Sequence, residues 1–226
     1  MSRPGPDIPK DPREWRPLRP LMTRVPVTVK DPIVEPLWSG TRVLVHFEAA
    51  SPQPVSLIDE LGDDITLALP EVVRQLAAAI GADDAVVDGI LTTQATRSGE
   101  GTALIQESRS SAMGFLMSRE ATVEVHRKDK DLEHVVGLVA VDLLRIDGQS
   151  LLDIPLLERK RLLEAVVVPD DRVRISVHTR PPVEAWVASW KAAGLRGAMM
   201  KGANSRYVPG GYSADWRTVT QIAGRR

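Results

Sequence analysis

Apolar and polar residues follow patterns along the chain that predict a mixture of strands and helices. Thr41 to Glu48 is rich in β-branched and apolar residues, and Val55 to Ile58 follows a turn, so these two segments predict a hairpin. Further strands are predicted at 85–92, 135–146, 173–178, 197–201 and 216–222. Helices are predicted at 70–80, with proline at the first position, and at 103–117, 155–166 and 182–193.

The order of these elements indicates an α+β fold with antiparallel sheets flanked by helices. Strands and helices are interspersed without the regular rhythm of a parallel βαβ sheet. The first 20 or so residues are dense in proline, which removes backbone donors and favours an extended chain. We therefore divide the chain into a Pro/Arg-rich N-terminal arm, residues 1–24, and one domain, residues 25–226. Trp15 is a candidate anchor for the arm.

The amino-acid composition is that of a globular protein and does not indicate a particular function. The chain has 226 residues, 43% of them hydrophobic and 26% charged, which is ordinary for a globular domain. With no cysteine and four scattered histidines, it offers no disulfide framework and no metal-ligand spacing. No apolar stretch approaches the roughly 20 residues of a membrane span, so we expect a cytoplasmic protein with no membrane partner. Residues 191–226 hold seven Lys/Arg and one Asp/Glu, a balance that suits contact with phosphates.

Two long segments carry a resemblance to a known family. Residues 141–163 read VDLLRIDGQSLLDIPLLERKRLL, and residues 194–219 read GLRGAMMKGANSRYVPGGYSADWRTV. In this order and spacing they resemble ATP-dependent DNA ligases, above all the ligase modules of bacterial end-joining enzymes. The resemblance extends over about residues 31–222.

The resemblance implies the nucleotidyltransferase fold of ligase adenylation domains, which is ATP-grasp-like. In that family a lysine attacks the α-phosphate of ATP to form a lysyl-AMP, and carboxylates hold the divalent metal. The AMP then passes to a 5′-phosphate at a nick. Active ligases usually carry an OB-fold domain after the last motif. Because this chain ends six residues after Thr220, we expect no OB-fold domain.

The nucleophile motif of the family is degenerate in this chain. The family pattern E-x-K-x-D-G-x-R corresponds to EPLWSGTR, which begins at Glu35 and also matches at Gly40 and Arg42. Leu37 stands where the lysine should be, and Ser39 stands where the aspartate should be. Since leucine has no nucleophilic atom, we expect no catalytic residue here.

Other motif positions have lost the side chains that the family uses. Ile90 replaces the glutamate of the D-G-E motif, and Val141 replaces the aromatic residue near the adenine. Arg196 replaces a metal-binding glutamate, and Thr218 and Thr220 replace the two lysines of the last motif. We therefore expect no metal-binding residues.

Asp142 and Lys201 do match the family. With Glu35 and Arg42 they form what the resemblance implies is a vestigial nucleotide-binding set. We interpret Asp88, followed by glycine, as part of a turn at a strand end.

These departures indicate a DNA-ligase-like pseudoenzyme that acts as a binding or regulatory module in DNA repair or recombination. Its expected partner is DNA or a DNA-repair protein. No cofactor is expected, and ATP and Mg²⁺ enter only if activity is retained. One alternative is an active nucleotidyltransferase with an unusual nucleophile, motivated by Lys201, Arg42 and Asp142. Another is a structural assembly subunit in which Leu37 and Trp38 line a contact surface.

Overall fold

The computed structural model describes residues 8–21, 28–93, 136–192, 195 and 197–219. Its strands are β1 Arg19–Pro20, β2 Pro32–Pro36, β3 Thr41–Glu48, β4 Val55–Asp59, β5 Asp84–Thr92, β6 Gly137–Ile146, β7 Gln149–Ser150, β8 Val173–Ile175, β9 Ala198–Gly202, β10 Tyr212–Ser213 and β11 Trp216–Val219. Its helices are α1 Pro70–Ala79, α2 Leu156–Val166 and α3 Glu184–Ala192. The helix predicted at 103–117 lies outside the described residues.

Most strands belong to two sheets. The larger has the order β4-β3-β5-β6-β7, with β8 beside β6 as its sixth strand. Its pairs are antiparallel except that β8 runs parallel to β6. The smaller sheet is antiparallel, in the order β11-β9-β2. The predicted α+β class with antiparallel sheets and flanking helices is confirmed, with one parallel pair that the sequence pattern does not reveal.

Alternation along β3 separates the two faces of the larger sheet. Val43 faces the main core, where α1 contributes Val72 and Leu76 at helical spacing. Leu44 faces the opposite side and packs with Trp216 of the smaller sheet. Each fully buried side chain of this size contributes about 1.5–3 kcal/mol to folding. The larger sheet is therefore covered by α1 on one face and by the smaller sheet on the other.

Helix α3 covers the outer face of the smaller sheet. Val187 and Trp190 of α3 pack with Val34 of β2 and Ala198 of β9. The layers are thus helix, larger sheet, smaller sheet and helix, and the candidate site lies between the two sheets. Among the described residues, no helix is long and apolar enough to cross a membrane.

The described part of the N-terminal arm packs into the domain. Trp15 is 4% exposed and Leu18 is fully buried, in the same core cluster as Leu44. The prediction that Trp15 anchors the arm is confirmed. Strand β1 also pairs in parallel with β10. The boundary between arm and domain at residue 24 stays a prediction.

Two predicted elements are longer than the observed ones. The strand predicted at 173–178 ends at Ile175, because the chain then leaves the larger sheet and Thr179 bridges to Val34 of β2. The helix predicted at 182–193 begins at Glu184, after the Pro181-Pro182 pair. Between the two elements, the Pro181-Pro182 pair has no backbone N–H to donate to a strand ladder.

Gly40, between β2 and β3, is expected to tolerate no side chain. A Cβ atom at this position would lie 2.0 Å from the carbonyl oxygen of Leu91. Gly40→Ala should therefore lower the free energy of unfolding by about 1–3 kcal/mol, measured by urea denaturation. Gly81→Ala is the matched control, since its Cβ would meet only the Val166 carbonyl oxygen, at 3.6 Å. Equal losses in the two variants would contradict this account.

Candidate functional site between the two sheets

Glu35 on β2 holds two lysine ammonium groups in the space between the sheets. Its Oε2 accepts a hydrogen bond from Lys201 Nζ of β9 at 3.0 Å, and its Oε1 lies 2.8 Å from Lys160 Nζ of α2. All three side chains are at most 3% exposed. Burial alone raises the pKa of Glu35, but the charges of Lys160 and Lys201 outweigh it, so the pKa is lowered. The ionised carboxylate therefore ties β2, β9 and α2 together.

Arg42 and Asp88 form a second ion pair, between β3 and β5. The guanidinium donates from Nε to Oδ1 at 2.9 Å and from Nη2 to Oδ2 at 2.5 Å. The Tyr207 hydroxyl donates to the same Oδ2 at 2.6 Å. Burial opposes the charge on Arg42, but Asp88 outweighs it and raises the pKa of Arg42. Burial and the Asp88 charge both raise the pKa of Tyr207.

Arg159 and Asp142 form a third pair, between α2 and β6. Nε donates to Oδ1 and Nη2 to Oδ2, each at 2.8 Å, and both side chains are fully buried. Nη1 of Arg159 donates to the carbonyl oxygens of Ile154 and Ser205. A bidentate pair with these added acceptors leaves Arg159 with little unused donor capacity.

The Trp216 ring lies close to two of these cations. Lys201 Nζ is 4.2 Å from the ring centroid, and the Arg42 guanidinium carbon is 5.2 Å from it. Tyr207 packs edge-on against the same ring at 6.0 Å between centroids. The indole N–H donates to Ser205 Oγ at 3.2 Å. Cation–π attraction therefore adds to the ion pairs that hold Lys201 and Arg42 in place.

Leu37 stands two residues after Glu35 in the chain. It directly follows β2, and its backbone N–H donates to the Gly197 carbonyl oxygen at 3.0 Å. Because side chains alternate along an extended chain, Leu37 falls on the same face as Glu35. The leucine side chain is only partly buried. An aliphatic side chain therefore stands near the ion-paired Glu35 on this face.

Trp38, the next residue, contacts β6. The half-buried indole packs against Val139 and Val141 of β6. Its Nε1–H donates to Ser176 Oγ at 3.0 Å, and the Ser176 hydroxyl donates to Glu35 Oε2 at 3.3 Å. Trp38 is thus linked by hydrogen bonds to the buried lysine–glutamate group.

Comparison with known proteins decides the family. A family model described as ATP dependent DNA ligase domain matches residues 23–219. The chain belongs to this family. The resemblance drawn from the sequence motifs is confirmed.

Catalogued DNA ligases match over most of this chain. DNA ligase 2 of Methanosarcina mazei is 28% identical over 196 residues, which are 83% of this chain and 32% of the relative. The DNA ligase of Thermococcus onnurineus is 26% identical over 90% of this chain and 36% of the relative. A probable DNA ligase of a Mycobacterium species is 27% identical over 92% of this chain and 38% of the relative. The chain thus spans about a third of the length of these relatives.

Solved ligase structures share the fold. The ligase domain of LigD from M. tuberculosis superimposes with a TM-score of 0.63 at 21% identity, over 92% of this chain and 60% of that domain. A mycobacterial DNA ligase D complexed with ATP and MES gives a TM-score of 0.61 over the same shares. At this identity the likeness shows the fold alone.

The four residues that the ligase motifs mark as nucleotide-binding all lie between the sheets. Glu35, Arg42, Asp142 and Lys201 come from four different strands, and each forms an ion pair with another protein side chain. At three positions where the chain departs from the ligase motifs, Val141 is buried and Ile90 and Thr218 are partly buried. Arg196 and Thr220 lie outside the described residues.

The turn predicted at Asp88 is wrong. Asp88 lies inside β5, fully buried, where it pairs with Arg42. The sequence held a signal for this role, since one aspartate interrupts the apolar run AVVDGIL. An ionised carboxylate in such a run needs a partner.

Three further members of the site were missed. Arg159 and Lys160 fall in the charged helix segment ERKR, which resembles a solvated helix face, yet both are buried. Tyr207 lies in a loop and is also buried. Their partners are distant in the chain, so no local pattern could have identified them.

A polar cavity of about 290 Å³ lies away from this site, beside the other end of β3. Its lining includes Arg13, His46, Asp84 and Arg145. Nε2 of His46 is buried without a hydrogen-bond partner. Burial first, and the charge of Arg13 second, lower the pKa of His46 to about 4.

The His46 imidazole is expected to make the fold sensitive to acid. In the unfolded chain it takes up a proton near pH 6.5, whereas in the folded protein it does so only near pH 4. The unfolded state therefore binds more protons in this window, and stability falls as pH falls, by up to about 3 kcal/mol. Urea denaturation of wild type and His46→Gln between pH 7 and 4 isolates this part of the pH dependence. Parallel stability curves for the two proteins would contradict it.

Proposed function

We propose that this chain is a ligase-like module without adenylyl-transfer activity, which binds or regulates other components of DNA repair or recombination. The observation that carries the proposal is Leu37, at the position where the ligase motif has its nucleophilic lysine. A side chain without a lone pair cannot attack a phosphate.

The neighbouring amines do not substitute for the missing lysine. Lys160 and Lys201 are both buried, and both face the Glu35 carboxylate. An ammonium held in an ion pair has no free lone pair with which to attack. These ion pairs support the proposal that the chain has retained the ligase fold without a nucleophilic amine.

The residues present do not fit a metal ion with a nucleotide triphosphate. Within the described ranges, Glu35, Asp88 and Asp142 are the buried carboxylates between the sheets, and each already forms an ion pair with a protein cation. A divalent metal would have to displace those cations into a buried space, which leaves them without a counter-ion. Metal-assisted attack on ATP is therefore not part of the proposed function.

A gel assay for covalent AMP transfer tests the loss of activity. Wild-type protein incubated with labelled ATP and Mg²⁺ or Mn²⁺ is expected to show no adenylated band. A Leu37→Lys, Ser39→Asp variant is tested in the same gel. An adenylated band from this variant would mean that the rest of the site still supports AMP transfer. A labelled wild-type band would reject the proposal.

Lys201 is the residue that an active-enzyme alternative would use. Burial lowers the pKa of Lys201, with Glu35 only partly opposing it, and a lower pKa makes an amine more nucleophilic at neutral pH. If wild type is labelled, Lys201→Met in the same gel identifies the nucleophile. Loss of the label in that variant would establish Lys201 as the adenylated residue.

Binding to DNA is the second part of the proposal. Membership of the ligase family and the basic residues after 190 motivate nicked duplex DNA as the partner. Fluorescence anisotropy at low salt should detect weak binding that declines as salt rises. Absence of binding both to nicked DNA and to a ligase would remove this role and favour an assembly subunit.

A further inference from the structure

The polar cavity beside the end of β3 is built on one face of the larger sheet. Part of its lining is a row of direct neighbours across β4, β3, β5 and β6, namely Ser56, His46, Val86 and Arg145. Residues that pair directly across a sheet project their side chains from the same face. The row therefore forms a floor on which a small molecule can lie.

The walls of this cavity carry charges of both signs. The N-terminal arm contributes Asp11 and Arg13, and the pair Glu48 and Asp84 comes from the same edge of the larger sheet. With Arg145, the lining contains three carboxylates and two guanidinium groups. A ligand with charge of only one sign would meet repulsion from part of this lining, whereas a zwitterion would meet attraction at both of its ends.

Three polar groups of the lining have no close partner among the described residues. Nε of Arg145 donates to Asp84 Oδ1 at 2.7 Å, but its two Nη groups donate to no acceptor. The Glu48 carboxylate lies 3.8 Å from Arg13 Nη2, too far for a hydrogen bond. Nε2 of His46 is buried without a partner. The cavity thus offers a donor pair, a carboxylate and an imidazole nitrogen to a ligand.

The donor pair and the carboxylate lie at the same end of the cavity. Glu48 stands directly opposite Asp84 in the ladder of β3 with β5, and Asp84 holds the Arg145 guanidinium. A volume of about 290 Å³ is at the lower limit of ligand cavities, which span roughly 300–1,000 Å³. The closely placed opposite charges and the small volume favour a ligand whose two charges are only a few bonds apart.

We propose that this cavity binds a free α-amino acid as its zwitterion. The α-carboxylate accepts hydrogen bonds from the Nη groups of Arg145, a two-point geometry that guanidinium and carboxylate share. The ammonium group donates to Glu48, and Nε2 of His46 gains a hydrogen-bond partner. The cavity is a second site, beyond the proposed ligase-like function, because its lining includes none of the motif residues between the sheets.

Titration of the full chain with L-alanine, followed by saturation-transfer NMR, tests the proposal. L-Alanine carries both charged groups and otherwise only a methyl group, so its binding does not depend on the fit of a long side chain. The matched probes are N-acetyl-L-alanine, which lacks the ammonium group, and L-alaninamide, which lacks the carboxylate. L-Alanine should bind at least about tenfold more tightly than either, since each lacks one charge-assisted hydrogen bond. No binding of L-alanine, or equal binding of either relative, would overturn the proposal.

Two conservative variants locate the binding in this cavity. Arg145→Lys keeps a positive charge beside Asp84 but removes the two-point donor, and Glu48→Gln removes the charge that faces the ammonium group. Each should weaken L-alanine binding at least about tenfold. Arg161→Lys and Glu158→Gln make the same chemical changes in an exposed ion pair on α2 and should bind as wild type does. Unchanged affinity in Glu48→Gln, whose side chain is 60% exposed and whose substitution leaves the core intact, would overturn the assignment.

The imidazole signals of His46 provide a measurement on the wild-type protein. In proton–nitrogen correlation spectra of the histidine side chains, L-alanine should shift Nε2 of His46 and leave His178, which lies outside this lining, unchanged. An unchanged His46 signal at saturating L-alanine would exclude this cavity as the site. The AMP-transfer gel measures adenylation alone, so the result for this cavity is independent of the result for the proposed function.

Discussion

Glu35→Gln is expected to destabilise the protein by about 3–5 kcal/mol. The substitution keeps the shape of the side chain but leaves the Lys160 and Lys201 ammonium groups buried without a negative charge. For a chain of this length each kcal/mol corresponds to about 2–4 °C, so the melting temperature should fall by roughly 10 °C. Differential scanning calorimetry at pH 7 provides the measurement.

Glu158→Gln is the matched control for this loss. Glu158 also forms an ion pair, with Arg161 at 2.6 Å, but both partners are exposed to solvent on α2. Solvent-exposed pairs contribute little because water already screens them. The control should therefore melt close to wild type. A Glu35→Gln protein that melts with the control would show that Glu35 does not hold the two sheets together.

Removal of Arg159 is expected to have an effect of similar size. Arg159→Met leaves the fully buried Asp142 carboxylate, together with the Ser205 carbonyl oxygen, without the guanidinium, and should cost about 3–5 kcal/mol. Asp142→Leu should destabilise the protein by a comparable amount, since it leaves the buried Arg159 guanidinium without a negative charge. The double variant should recover much of the loss, because two apolar residues replace the pair without an unpaired charge.

Urea denaturation of the four proteins in this cycle gives the coupling energy between Arg159 and Asp142. A strongly favourable coupling would agree with the bidentate geometry at 2.8 Å. Additive losses would mean that each side chain acts through other neighbours, and the role assigned to the pair would then be wrong.

The residues that match the ligase motifs have structural roles in this fold, in addition to the nucleotide-binding role that the motifs imply. In the family resemblance, Glu35, Arg42, Asp142 and Lys201 were assigned to a vestigial nucleotide site. In the fold each one forms an ion pair with the protein itself. Retention of these residues is therefore explained by packing between the sheets as well as by any ligand. The variants above measure that structural contribution directly.

Local sequence patterns predicted individual elements with different success. The strand at Thr41–Glu48 and the helix that begins at Pro70 were confirmed, because alternation and a proline at the first helical position are local signals. The turn at Asp88 was wrong, since a glycine after aspartate also fits a strand whose aspartate has a distant partner. The parallel pairing of β8 with β6 was missed for the same reason, as pairing joins residues far apart in the chain.

The sequence by itself determined the family, the α+β class and the absence of lysine at position 37. These properties depend on residue types in order along the chain, and order is what a sequence contains. Only the tertiary structure decided that Lys160 joins Lys201 on Glu35, that Arg42 pairs with Asp88, and that Leu18 covers Arg42. Those contacts join segments that are remote in sequence, so they exist only once the two sheets and residues 15–21 pack together. The physical reason is that a buried charge takes its partner from whatever packing brings near it.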